Sequence, residues 1–320
     1  MNIPKEGITR VDGRSKVTGS IRYAAEYPFP GLVYGVLVNS TIAKGTITSI
    51  DSKAAEGAPG VVAVISHFNA PIIPGYEGKE EIKTFNDKKI YFNGQPIVLV
   101  IANSYERARF AASLVKVQYS TEEHQTNIDA GLQNTYKPWG DGSDYLRGEA
   151  DAYHNAPVKI EAEYQTPIHV HNAMEPFAMT AKWDGENITV YTKAQAIKSM
   201  QHDIMTMFKL PVENVQVFSK VIGGAFGSGS PLWPYAKATL IGAKMIGKPL
   251  KVAIDRGQMF TMVGYRSPAR QKLGMGATTD GKLVGITHEA TGETSTYQQF
   301  AEGITETTKF LYECPNVNTS

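Results

Sequence analysis

The sequence predicts an α+β fold, and three observations predict it. Short apolar runs of strand length, such as "GLVYGVLV" and "PIVLVIA", alternate with segments whose apolar residues recur at helical spacing. Turn formers (Asp-Gly, Asn-Gly, Pro-Gly) fall between these runs. A polar stretch, "KPWGDGSDYLRGEAD", interrupts the pattern near the middle. Its linker composition divides the chain into residues 1–125, a linker over 126–150 and a second part over 151–320.

Residues 1–20 are polar and carry turn signals in "VDGRSKVTG". An extended segment follows, in which "GLVYGVLV" is a buried strand because it is short, apolar and Gly-bounded. "ITSIDSKAAEGAPGVVAVIS" predicts strand, short helix, Pro-Gly turn and strand. "YFNGQPIVLVIA" is strand-like around an Asn-Gly turn. "SYERARFAASLV" is a helix with Ser104 as its N-cap and Arg107 three positions on. "VKVQYS" returns as a strand and closes this module near Thr121.

In the second part, "VKIEAEYQTP" alternates as a half-exposed strand does. "MTAKWDGENITVYTKAQ" predicts a hairpin turning at Asp184-Gly185. Ile197, Met200, Ile204, Met205 and Phe208 are spaced as one face of a helix, which Pro211 stops. Met200, Met205 and Met207 read as helix core or partner surface rather than redox groups. "VENVQVFSKVI" is the next strand. "PLWPYAKATLIGAKMIGKP" is a helix ending at Gly247 before Pro249, and "LKVAIDR" is a strand. "RQKLGMGATTDGKLVGITHEATGETS" is an antiparallel pair turning at Asp280-Gly281, and the final "FLYECPNVNTS" reads as irregular.

Composition narrows the function classes. Apolar residues make up 42% and charged residues 20% of 320, enough for a sizeable core. The net charge is +1, with no dominant basic patch, so nothing points to nucleic acid or an anionic membrane. One cysteine, Cys314, excludes a Cys-rich zinc or iron–sulfur site within these residues, and near the C-terminal end it needs no role. The first residues hold no signal-peptide apolar core, and no run approaches membrane-span length, so a cytoplasmic protein is expected, or a periplasmic one only if a partner's signal carries it.

The chemistry concentrates in "VIGGAFGSGSPLW", Val221 to Trp233. Gly223, Gly224, Gly227 and Gly229 stand between an apolar run and a helical run. Glycine lets backbone N–H groups approach a ligand, and a helix N-terminus adds partial positive charge, so the segment suits an anion. It is not a Walker motif, since no Lys-Ser or Lys-Thr follows, and not a clean GxGxxG. By itself the loop is equally consistent with a tight turn made for close packing.

Together with "MEP" and "TKAQ" upstream, this loop, "GGAFGSG", resembles the molybdopterin-binding region of the xanthine dehydrogenase and aldehyde oxidase family. "RVDGRSKVTGSIRYAAEY" is similar to that family's N-terminal signature. "GQPIVLVIANSYERARFAASLVKVQY" is similar to its a/b hammerhead domain, and "KPLKVAIDR" echoes a further family strand. The resemblance implies a hammerhead domain over 1–125 and the first part of a molybdopterin-binding α+β domain over 151–320. The loop with Ala225 and Ser228 resembles that of bacterial aldehyde oxidoreductase subunits rather than that of purine enzymes.

At the residues, the resemblance implies that Gln195 approaches the molybdenum through an oxygen ligand and that the Phe226 backbone lies at the molybdenum and pterin. Gly224, Ala225 and Gly227 would supply backbone contacts to the cofactor. Ser230 and Trp233 are candidates for a substrate pocket, and Trp233 and Tyr235 either line a substrate channel or simply pack. No carboxylate stands in Gly227-Ser228-Gly229-Ser230, which speaks against a purine substrate. The resemblance implies oxidation of an aldehyde to a carboxylic acid, with a small aldehyde or heterocycle as substrate. The implied cofactor is molybdopterin as the cytosine dinucleotide, with iron–sulfur clusters and FAD carried by partner subunits. The family's catalytic glutamate and its "RAPG"-like loop lie farther along a longer chain. These residues alone are therefore expected to be an inactive N-terminal portion; the alternative is a non-catalytic folded fragment or partner-binding module.

Other residues are weighed individually. His169 and His171 share a strand face but lack a third ligand nearby, so packing is the expectation. Glu175 is read as structural, capping a turn beside Pro176, and Arg266 and Arg270 as solvated rather than meeting an anionic cofactor tail.

Overall fold

A computed structural model describes residues 7–76, 82–138 and 144–320. The strands of the first half are β1 (Val33–Asn39), β2 (Gly45–Asp51), β3 (Val61–Ile65), β4 (Lys89–Ile90), β5 (Pro96–Ala102), β6 (Lys116–Thr121) and β7 (Tyr145–Arg147). Then come β8 (Val158–Thr166), β9 (Ala178–Asp184), β10 (Asn187–Thr192), β11 (Val215–Phe218), β12 (Leu250–Ala253), β13 (Ala269–Ala277), β14 (Leu283–Gly292) and β15 (Asn316–Thr319). The α-helices are α1 (Gly13–Val17), α2 (Lys53–Glu56), α3 (Tyr105–Ser113), α4 (Ile128–Gly131), α5 (Ile197–Phe208) and α6 (Pro234–Ile246).

Packing divides the chain into two compact units. One is Met1–Glu122 with His171–Gly264, the other Glu123–Val170 with Tyr265–Ser320. This differs from the three consecutive segments read off the sequence. The middle of 151–320 joins the N-terminal unit because β12 inserts between β9 and β1: Leu250 pairs with Ala181 on one side and with Val33 on the other. Strand pairing across such separations leaves no local sequence signal.

The first unit holds a seven-stranded sheet in the order β11-β10-β9-β12-β1-β5-β3 and a three-stranded sheet β4-β2-β6. Every residue of β5 is buried, as its unbroken apolar run requires. Its side chains alternate between two cores. Val98 and Val100 join Ala111 of α3, whereas Leu99 and Ile101 join Leu240 and Ile241 of α6. Ser104 caps α3, its hydroxyl accepting from Arg107 N–H at 3.3 Å. Helix α6 opens with Pro234 and closes on Gly247 in the left-handed conformation. Helix α5 ends at left-handed Lys209, two residues before Pro211, with Met200, Ile204, Met207 and Phe208 buried. The β9–β10 hairpin pairs Asp184 with Asn187 around Gly185, as predicted.

The second unit is a five-stranded sheet, β7-β15-β14-β13-β8. Three expectations are corrected here. The proposed linker over 126–150 contributes α4 and β7, and Val317 of β15 pairs with Arg147 of β7; residues 139–143 lie outside the described residues. The tail read as irregular forms β15, parallel to β14, and Cys314 is buried in a small core with Ile286 and Val317. Strand β8 is exposed along almost its whole length, because it is an edge with β13 as its one neighbour.

Candidate functional site

Strands β10 and β11 run parallel and in register, from Ile188 opposite Val215 to Tyr191 opposite Phe218. Their C-terminal ends therefore emerge side by side. The first leads through Lys193 and Ala194 to Gln195, the second through Ser219 and Lys220 to the glycine loop, and Ala194 N–H donates to Ser219 Oγ at 3.0 Å. This geometry brings the predicted residues Gln195, Gly224, Ala225, Phe226 and Gly227 together.

Gln195 locks the loop with three hydrogen bonds. Its Oε1 accepts from the N–H of Gly227 and of Gly229, each at 3.0 Å, and its own N–H donates to Gly229 O at 2.9 Å. A Cβ on Gly229 would lie 3.0 Å from Gln195 Cγ and 3.1 Å from Ala225 Cβ, so glycine is what the close approach requires. Buried Ser228 closes the turn, its hydroxyl donating to Ala225 O at 2.6 Å. Phe226 has φ +56°, a left-handed conformation that costs a non-glycine residue about 1 kcal/mol or more. Its side chain is 66% exposed.

Glu175 holds the loop's entry. Its Oε2 accepts from Gly223 N–H at 2.7 Å, its Oε1 from Ala24 N–H at 3.2 Å, and its N–H donates to Gly223 O at 3.1 Å. Glu175 is structural, as expected, but its partners are distant chain segments rather than a local turn. Two cations, both missed in the sequence, fix it from behind. The Arg256 guanidinium donates to Asn172 Oδ1, Ala173 O and Met174 O at 2.8, 2.6 and 2.7 Å. Lys193 is 0% exposed, donates from Nζ to Glu175 O at 2.6 Å and lies over the Phe177 ring at 4.2 Å. Burial lowers its pKa to about 8; the Glu175 carboxylate opposes this and Arg256 adds to it. The one available signal was position: a lysine between the end of an apolar strand and Gln195, and an arginine ending "VAIDR".

Several expectations change. Helix α6 begins at Pro234, well beyond Gly229, so its first turn contributes no N–H to the glycine loop. Trp233 is tied to the loop, its indole N–H donating to Ser228 O at 2.6 Å, and a Cβ on Gly264 would lie 2.6 Å from its ring. Ser230 beside it is half-buried. Tyr235 is no channel residue: it is buried in the core at 5.9 Å from Phe177, and burial raises its pKa. Arg270 is paired with Asp129 at 2.6 Å, whereas Arg266 stays half-exposed, with Glu302 at 3.4 Å. His169 exchanges backbone bonds with Arg266. Among the described residues no three His, Cys, Asp or Glu side chains are grouped to hold a metal ion.

What the loop offers chemically follows from its unspent donors. Gly223, Gly227, Ser228 and Gly229 give their N–H groups to protein acceptors. Among the described residues the N–H groups of Gly224 and Ala225 and the Nε2 of Gln195 have none. Consecutive N–H groups beside left-handed residues form a concavity suited to oxygen atoms of an anion.

Residues 18–123 match the family model of the aldehyde oxidase and xanthine dehydrogenase a/b hammerhead domain. Residues 130–320 match that of the molybdopterin cofactor-binding domain. The chain is 38% identical over 284 residues to the aldehyde oxidoreductase molybdenum-binding subunit of Escherichia coli K12, covering 88% of this chain and 39% of that protein. It is 27% identical over 315 residues to the putative xanthine dehydrogenase molybdenum-binding subunit of the same organism, covering 92% and 42%. The chain thus spans about two fifths of the length of these curated relatives. In fold it is similar to the aldehyde oxidoreductase of Desulfovibrio gigas, with a TM-score of 0.79 at 23% identity, covering 97% of this chain and 37% of that one.

Proposed function

The chain belongs to the aldehyde oxidase and xanthine dehydrogenase family of molybdenum-binding subunits, and from that premise we propose that it forms the glycine-loop side of the cradle for a molybdopterin cofactor. The observation that carries this reading is the joint between Gln195 and the loop. One amide oxygen fixes Gly227 and Gly229 and leaves Nε2 as a donor. That donor set, with the N–H groups of Gly224 and Ala225, fits an anionic, oxygen-bearing group.

When bound, the cofactor supplies the redox chemistry by which an aldehyde becomes a carboxylic acid with water as oxygen source. This chain's residues bind and orient. Gln195 Nε2 and the Gly224 and Ala225 N–H groups hold oxygen atoms, and Phe226 offers an exposed apolar face. The aldehyde reading is supported by the chemistry of the loop. Its nearest carboxylate, Glu175, is committed to Ala24 and Gly223 and is not offered to a substrate. The catalytic base is assigned to the remainder of the longer parent chain, so these residues alone give no turnover.

The cofactor is proposed as the cytosine dinucleotide, and electrons leave to iron–sulfur clusters and FAD on partner subunits. Among the described residues no helix is long and apolar enough to cross a membrane; the location is proposed as cytoplasmic. Molybdenum and pterin content of the purified protein tests the reading. Metal that is retained by the unaltered chain and lost in Q195A supports it. Neither metal nor pterin, with or without the parent's remaining chain, favours the non-catalytic fragment instead.

A further inference from the structure

The Ala24–Glu26 turn of the segment Tyr23–Phe29 lies against β9, β10 and β12, of which β10 leads to Gln195. Tyr27 packs on Tyr191 with ring centroids 4.5 Å apart, Phe29 meets the same ring edge-on at 5.4 Å, and Tyr191 stacks on Phe218 at 4.9 Å. Tyr191 stands next to the end of β10 and Phe218 is the last residue of β11. The aromatic cluster therefore sits where both strands exit toward Gln195 and the glycine loop. Lys220, at the root of the loop, places its ammonium 5.9 Å from the Tyr27 ring centre.

The polar joint between segment and loop is Glu175. Each carboxylate oxygen takes one backbone N–H, Ala24 from the segment and Gly223 from the loop. Space at Gly223 is closed from both directions: a Cβ there would lie 2.6 Å from Glu175 Cβ and 3.3 Å from the Tyr23 ring. The segment has its own anchors. Tyr23 N–H donates to Glu26 Oε2 at 2.7 Å, and Lys251 Nζ donates to Ala25 O at 2.5 Å. If the segment moves, Ala24 leaves the carboxylate and the charge is then held by Gly223 alone.

We propose that the segment Tyr23–Phe29 sets the conformation of the glycine loop, with Glu175 as the positioning residue that couples them. The inference rests on the cofactor reading for its consequence, that cofactor retention depends on a segment far upstream of the loop. The coupling itself belongs to the chain with or without cofactor.

The substitution A24P removes one N–H and leaves Glu175 intact. Tyr23 is extended (φ −86°, ψ 175°), which a following proline accepts, and residue 24 opens a 3-10 turn, where proline is tolerated. The reporter is the Trp233 indole N–H, which donates to Ser228 O in the loop, followed by NMR and assigned with W233F. The Trp183 indole, which donates to Leu240 O in α6, is the internal control. The expected result is a shifted or split Trp233 resonance with Trp183 unchanged, in A24P and also in E175Q, where an amide NH2 faces one of the two N–H groups. If A24P unfolds, both resonances collapse and E175Q alone decides. An unchanged Trp233 resonance in the folded variants overturns the coupling even where molybdenum is retained. Absence of both molybdenum and pterin from the unaltered protein, with and without the parent's remaining chain, overturns the cofactor reading and leaves the Trp233 result standing.

Discussion

Gln195 and Gly229 exchange two hydrogen bonds, Gln195 N–H to Gly229 O at 2.9 Å and Gly229 N–H to Gln195 Oε1 at 3.0 Å, so a side chain and a glycine more than thirty positions apart behave as one turn. The pairing holds the ends of two parallel strands together. It also leaves no room at Gly229, where a Cβ would press on Gln195 Cγ and Ala225 Cβ. G229A is expected to lower stability by about 1–3 kcal/mol, the usual cost of overpacking a fixed site. Denaturant unfolding measures it, and a stability within about 0.5 kcal/mol of the unaltered chain would show that the loop yields easily.

Arg256 gives a second prediction. Its guanidinium satisfies three consecutive acceptors of the turn before Glu175, including Asn172, whose φ is +35°. R256A leaves those carbonyls without a partner and is expected to cost about 1–3 kcal/mol. R256K, a point charge without the fork, is expected to recover less than half of that loss. Equal stability of R256A and the unaltered chain would remove Arg256 from the site's support.

Much of this was legible in the sequence, and the rest was not for definite reasons. Local signals worked: the Ser104 cap, the Gly185 and Gly281 turns and the Gly247 helix end all stand where the sequence puts them. Gln195 and the loop could be named because a motif carries them. Arg256 and Lys193 were overlooked because what they serve is backbone carbonyls of a distant turn, and no spacing rule encodes that. The linker and the tail were misread because β7 and β15 are strands only by virtue of each other and of β14. Short polar segments lack intrinsic strand signal and take it from tertiary pairing.

Lys193 predicts a pH dependence. Its folded pKa, about 8, lies below the ordinary lysine value of about 10.4. Between these values the unfolded chain binds more protons, so stability rises with pH. Below pH 8 both states are protonated and the cost of the buried cation is fully present. The unaltered chain is expected to gain on K193M by about 1 kcal/mol per pH unit between about pH 8 and 9.5. Tyr235, whose pKa burial raises, titrates above this window and is common to both proteins. Parallel stability profiles for the two would show that Lys193 is not desolvated.

Cys314 reports on the second unit. It is 3% exposed, packed with Ile286 and Val317, and its thiol donates to Asn316 O at 3.2 Å. A thiol reagent is expected to label it only as fast as that core opens, and at the rate of a free thiol in denaturant. Rapid labelling under native conditions would mean that β15 does not stay in the sheet.

The two ends of the Gln195 amide separate folding from binding. Oε1 accepts from Gly227 and Gly229, whereas Nε2 is the donor we propose for the cofactor. Q195A removes both and is expected to lose about 1–2 kcal/mol of stability together with metal retention. Q195E keeps an acceptor, now charged, for the two N–H groups, and replaces the donor with a second oxygen. Its stability is therefore expected to stay within about 1 kcal/mol of the unaltered chain, since charge-assisted bonds to backbone N–H are no weaker than neutral ones. Its metal content should nevertheless fall, because an anion now faces an anionic group. Unfolding midpoints and elemental analysis on the same preparations read both quantities. Retained molybdenum in Q195E would show that Nε2 donates nothing to the cofactor and that Gln195 acts on the loop alone.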